Sequence, residues 1–106
     1  MSASTPEGKV KAKFKRGLKK IPRVWSHMSV QTGMGAPTLD FVLCVDGLFV
    51  AVEAKATAKH QLSALQQQTV RAMEGCGAVV FIVHDENVEL VLNQIGLLAS
   101  FPKAAW

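Results

Sequence analysis

Two acids and a lysine, Asp40, Glu53 and Lys55, stand at the far ends of the two most apolar runs in the chain. The runs, residues 40–45 and 48–55, are joined by Asp46-Gly47, a dipeptide suited to a two-residue hairpin turn. Such a turn fixes the register, so that Val45 opposes Leu48, Leu43 opposes Val50, and Asp40 opposes Glu53. Counting outward, Asp40 and Glu53 fall in a non-hydrogen-bonded pair, with Cβ atoms expected about 4.5–5.5 Å apart. Lys55, two residues on, shares their face.

Like charges in direct opposition destabilise a sheet. A hard divalent cation removes the conflict. Two carboxylates can hold Mg2+ or Mn2+, which polarises a phosphate and acidifies a bound water. Lys55 would then orient or activate that water, or hold the phosphate. The competing expectation is that the strands end at residues 41 and 52 and the charges splay into solvent, with Lys55 as an ion-pair partner.

Gln66 adds a second ambiguity. Leu62 and Val70, one helical turn to either side, place it on an inward face, where an amide needs a partner. Yet Ser63-Ala64-Leu65-Gln66 has capping-box spacing, which would satisfy that amide at the helix start. Both readings stay open.

The elements that must position these groups follow from periodicity. Thr5 can cap a helix with Pro6 at its first position and Glu7 in its first turn, where the helix dipole favours a carboxylate. Val10, Phe14, Leu18 and Ile21 make one apolar stripe; Gly17 weakens the helix and Pro22 stops it. Residues 25–31 alternate weakly as a strand, and 32–37 form a loop in which Gly33 and Gly35 are free to take positive φ. After the hairpin comes a helix ending near residues 75–77, then a buried strand at 78–83. Asp85 is expected to cap a last helix whose apolar side is Val88, Val91, Leu92, Ile95 and Leu98. The order α-β-β-β-α-β-α, with one right-handed crossover, implies an α/β chain with a mixed sheet. Apolar residues at nearly every hairpin position predict a sheet covered on both faces, with Cys44 in the core.

Composition narrows the classes. With 106 residues, 49% hydrophobic, the chain suits a single domain spanning residues 1–106. It lacks the run of about 18 apolar residues that a membrane span needs. The start lacks the pattern of a secretory leader, and two cysteines, Cys44 and Cys76, make no disulfide framework; the expectation is a reduced, cytoplasmic setting. The histidines, His27, His60 and His84, are scattered and read as structural or surface groups.

The net charge of +4 conceals a division: residues 1–23 hold eight of the twelve Lys and Arg against one acid, Glu7. A basic end on a faintly acidic body suits a polyanion, with nucleic acid the first candidate. Lys9, Lys13, Lys15, Arg16, Lys19 and Lys20 are the expected phosphate contacts, made without sequence preference.

Taken together, residues 33–41, Glu53-Ala54-Lys55, residues 62–66 and residues 75–80 resemble the virus-type replication-repair nuclease (VRR-NUC) branch of the PD-(D/E)XK nucleases. The likeness extends over nearly the whole chain, including residues 5–8. One departure is that Leu39 precedes the acid where members usually have proline, with Pro37 two residues earlier. The resemblance implies a restriction-endonuclease-like αβββαβ core followed by a C-terminal helix, and Mg2+- or Mn2+-dependent endonuclease activity on DNA. It implies Asp40, Glu53 and the Ala54 carbonyl as metal ligands, with Glu7 near the metal. Lys55 would be the catalytic lysine and Gln66 its supporting glutamine, and Gly33 and Gly35 would lie on the nucleic acid. It further implies a homodimer acting on branched DNA such as Holliday junctions, in a bacterial or phage-infected cell. The apolar tail, residues 101–106, is the expected subunit seam. The alternative is a binding module that keeps the fold without a working site.

Overall fold

In the computed structural model, which describes residues 5–30 and 35–100, the first helix starts where the capping signal places it. Helix α1 (Pro6–Leu18) is opened by Thr5, whose Oγ1 accepts the Gly8 N–H at 3.0 Å. Val10, Phe14 and Leu18 are buried along one side, and Ile21 packs against the same core. Gly33 and the tail at 101–106 lie outside the described residues.

Strands β1 (Val24–Met28), β2 (Phe41–Val45) and β3 (Leu48–Ala54) form an antiparallel meander. Helix α2 (Ala64–Gly75) then crosses over to β4 (Val79–Val83), which pairs parallel with β3, and α3 (Val88–Ala99) follows. Strand order is β1-β2-β3-β4, a mixed sheet. The hairpin turn has φ of 50° at Asp46 and 92° at Gly47, the left-handed pair that a two-residue turn demands. Arg23 locks this turn by donating from Nε to Asp46 Oδ1 at 2.6 Å.

Helices α1 and α3 cover one face of the sheet, and the core lies between. Phe14 meets Phe41, the residue that follows Asp40, edge-on at 5.1 Å. Gly17 has a use that its low helix propensity hides. A Cβ there would lie 2.2 Å from Leu92 Cδ1, so the missing side chain lets α3 approach α1.

Three expectations are corrected. The second face of the sheet is only partly covered: Trp25 is 64% and Phe49 46% exposed, and Cys44 is exposed rather than core. Helix α2 packs against β4, at one edge of the sheet, and leaves the outward positions of β1 and β2 open. Asp85 does not cap α3. Asn87 holds the cap position, and its side chain instead ties the preceding loop, accepting from His84 N–H at 2.7 Å and donating to the Ile82 carbonyl at 2.9 Å. Strand β1 stops at Met28, although the Ser29 N–H still reaches the Asp40 carbonyl at 2.8 Å. Among the described residues no helix is long and apolar enough to cross a membrane.

Phe14 carries the α1-to-sheet contact, so Phe14→Ala should lower stability by about 3–5 kcal/mol in urea unfolding.

Candidate functional site

Phe41 opposes Val52, so Asp40 and Glu53 form the next pair outward, as the turn requires. They do not splay into solvent. Asp40 is 7% and Glu53 3% exposed. Strand β2 does begin at Phe41, but β3 continues to Ala54 because β4 supports it, with Glu53 beside Ile82 and Ala54 beside Val83.

The two carboxylates avoid confrontation by exchanging hydrogen bonds with each other's strand. The Asp40 N–H donates to Glu53 Oε1 at 3.1 Å, and the Ala54 N–H donates to Asp40 Oδ2 at 2.9 Å. These bonds replace ladder bonds that the backbone cannot make beyond Phe41, and they fix both side chains.

Gln66 satisfies both of its readings at once. Its Nε2 donates to Glu53 Oε2 at 2.7 Å, while Oε1 accepts from Lys55 Nζ at 2.8 Å and from the Ser63 N–H at 3.0 Å. The Ser63 hydroxyl returns the bond, accepting the Gln66 N–H at 3.1 Å. One amide thus closes the capping box and bridges a carboxylate to an ammonium. Lys55 Nζ lies 3.7 Å from the same Glu53 oxygen.

The sequence reading missed Lys11. Its ammonium sits 3.2 Å from Glu7 Oε2 and 3.4 Å from Asp40 Oδ1. The available signal was its position one turn after Glu7, beside the buried Val10; grouped with its basic neighbours, it looked like another solvent charge. Glu7 contacts the site through this lysine and adds its charge to the field that acts on Glu53. Among the described residues, the group whose three ligand atoms all lie within 4.8 Å of one another is His84, Asp85 and Glu86, not the Glu7, Asp40 and Glu53 set. That cluster is a turn held by its own bonds, with His84 Nδ1 accepting the Glu86 N–H at 3.2 Å.

The charge balance is strained. Burial, and then the neighbouring Asp40, push the Glu53 carboxyl up to about 7. Burial works against the Lys11 ammonium, but Asp40 and Glu7 outweigh it and raise its pKa. An all-oxygen donor set that already draws in one cation suits a hard divalent ion, which Asp40 and Glu53 would hold.

The basic residues separate into two rows. Lys9 and Lys13 line a groove with Ala56, Thr57 and Asp85, and Lys13, Arg16 and Lys20 line another against α3. Lys15 and Lys19 follow Lys11, the lysine beside Asp40, at four-residue spacing, Lys19 as the C-cap of α1. Gly35 has φ of 82°, as its loop position demands, and is exposed.

Helix, three antiparallel strands, helix and parallel strand, with paired acids where the hairpin meets the crossover, define a mixed-sheet αβββαβ fold extended by a third helix. Within that class the chain has the fold of a VRR_NUC domain. A solved structure described as "VRR_NUC domain" matches 85% of this chain and 97% of its own, with a TM-score of 0.73 and 20% identity. Comparisons with protein-family models and with curated proteins give no match.

The raised Glu53 carboxyl sets a pH dependence. Its folded value, about 7, lies above its ordinary 4.5, so the folded chain binds the extra proton between those values. Stability contributed by that proton is complete below 4.5 and lost as pH rises through about 7. In EDTA, the melting temperature of wild type should fall across this window relative to Glu53→Gln. Parallel melting profiles would show that Glu53 does not titrate there.

Proposed function

We propose that the chain is a metal-dependent DNA endonuclease that hydrolyses phosphodiester bonds. The observation that carries this reading is the closed network of Asp40, Glu53, Gln66 and Lys55 at the ends of the two central strands, β2 and β3. Asp40 and Glu53 would hold Mg2+ or Mn2+, with the Ala54 carbonyl as third ligand and Glu7 nearby. The ion, when bound, supplies a Lewis acid for the phosphate and an acidified water.

The protein's part is positioning. Gln66 Oε1 aims the Lys55 ammonium, and Gln66 Nε2 holds the Glu53 oxygen that lies 3.7 Å from it. Lys55, its side chain only 14% exposed, can donate to a phosphate oxygen or orient the attacking water from a fixed place. Asp40 is equally fixed, since the Ala54 N–H holds one oxygen and leaves the other facing α1. The row Lys11, Lys15 and Lys19 would lead a phosphate backbone towards these groups.

Branched DNA as substrate and a homodimer as the active form belong to the same proposal. The sequence resemblance supports both. The exposed row of Trp25, Cys44 and Phe49, neighbours across three strands, adds support for a second copy, because a contiguous apolar patch gains from burial in a seam.

Labelled linear, flapped and four-way DNA, incubated with Mg2+, Mn2+ or EDTA, tests the activity. Lys55→Ala should reduce metal-dependent nicking by about 10²–10⁴-fold while binding persists. Tight, salt-sensitive binding without cleavage of any substrate would identify a binding module instead. For the basic rows, Lys15→Ala with Lys19→Ala should weaken DNA binding and flatten its log–log salt slope by about 2. Lys9→Ala with Lys13→Ala should change that slope less.

A further inference from the structure

We propose that Lys11 is a built-in cation that occupies the Asp40 position and is expelled when a divalent ion binds. Loading the site with metal and releasing this lysine would then be a single event. The proposal rests on the metal-site reading above and concerns what regulates that site.

Three of the four oxygens of the carboxylate pair already accept a hydrogen bond, which leaves each of them part of its lone-pair capacity. Glu53 Oε1 accepts the Asp40 N–H, Glu53 Oε2 accepts from Gln66, and Asp40 Oδ2 accepts the Ala54 N–H. Asp40 Oδ1 faces Lys11. The oxygen best placed for an incoming ion is therefore the one that already has a cation beside it.

The two lysines of the site are held differently. Lys55 is bonded to Gln66 at 2.8 Å, a short contact within a closed network. Lys11 is 3.2 and 3.4 Å from its two carboxylates, longer than the roughly 2.7–2.9 Å of a strong charge-assisted bond. Its side chain is 28% exposed, twice the 14% of Lys55, so it has an outlet to water. Lys11 is loosely held where Lys55 is fixed.

Release need not leave the ammonium unpaired. Glu7 lies one turn earlier on α1, in the Glu-to-Lys order that favours pairing along a helix, and it is half exposed. A doubly charged ion beside Asp40 would repel the ammonium at this range, whereas Glu7 would retain it. Before the ion enters, Lys11 reduces the repulsion between two buried acids. Afterwards its partner is the half-exposed Glu7, and that solvent-side pair can open to a phosphate of the substrate.

Calorimetric titration with Mn2+, without DNA, tests this on wild type, Lys11→Met, Asp40→Asn, and Lys15→Met as a control for general charge. Lys11→Met should bind the ion about tenfold more tightly than wild type, and Lys15→Met should differ little from wild type. Equal affinity in wild type and Lys11→Met, or weaker binding in Lys11→Met, would overturn the proposal while leaving the metal site intact. Undiminished binding in Asp40→Asn, or no binding by any of the proteins, would overturn the metal-site reading itself, and this proposal with it. A measurement on wild type guards against poor folding of the Lys11→Met protein. Trace acetylation of Lys11, mapped by mass spectrometry against Lys19, should rise about threefold on adding Mg2+, because a side chain expelled from beside Asp40 keeps only the exposed Glu7 and is more open to the reagent. Unchanged labelling would overturn the proposal.

Discussion

The exchange of hydrogen bonds between Asp40 and Glu53 is the constraint on which the site depends. Beyond Phe41 the antiparallel ladder runs out, and two backbone N–H groups would otherwise be left in a buried place. Carboxylates accept them. The same bonds that finish the hairpin set the direction of both acids, so the fold stabilises an arrangement that like-charge repulsion opposes. Gln66 extends this control to the next helix, since one amide holds Glu53, Lys55 and the first turn of α2. Site geometry and helix initiation are therefore one problem with one solution.

Electrostatics are balanced on a different scale. The pair has two lysines within reach, one fixed by the amide and one carried by α1. Even so, Glu53 titrates near neutrality, because burial outweighs the help it receives. On the proposed reading, a divalent ion would relieve that imbalance. The site gives up no packing for this, since Phe14 and Phe41 close the core beside Asp40.

Much of this was legible in the sequence. The Asp46-Gly47 turn carries its own register, so the Asp40–Glu53 pairing follows by counting. The two competing readings of Gln66 proved compatible, because a side-chain amide has two ends and the capping box uses only one. What stayed hidden depends on tertiary placement. Lys11 looks like its neighbours until α1 is laid against the sheet. The apolar runs of the hairpin read as doubly covered, but coverage is decided by where α2 comes to rest, and it rests over β4. The shift from Asp85 to Asn87 at α3 reflects loop bonding to His84 and Ile82 that spacing does not encode.

Strand β4 has an implication for how the chain assembles. The β1–β2–β3 meander joins neighbours in sequence, so its pairing closes short loops and can form early. The stretch carrying Glu53 and Ala54 gains its second strand partner only when β4 arrives from beyond α2. That pairing closes a much longer loop. A nascent chain that has emerged only as far as α2 would hold the meander with an unfinished acidic end. On that order of assembly, the bonds between the acids would close with the hairpin, and β4 would back the Glu53 end only after the segment that supplies Gln66 has been made.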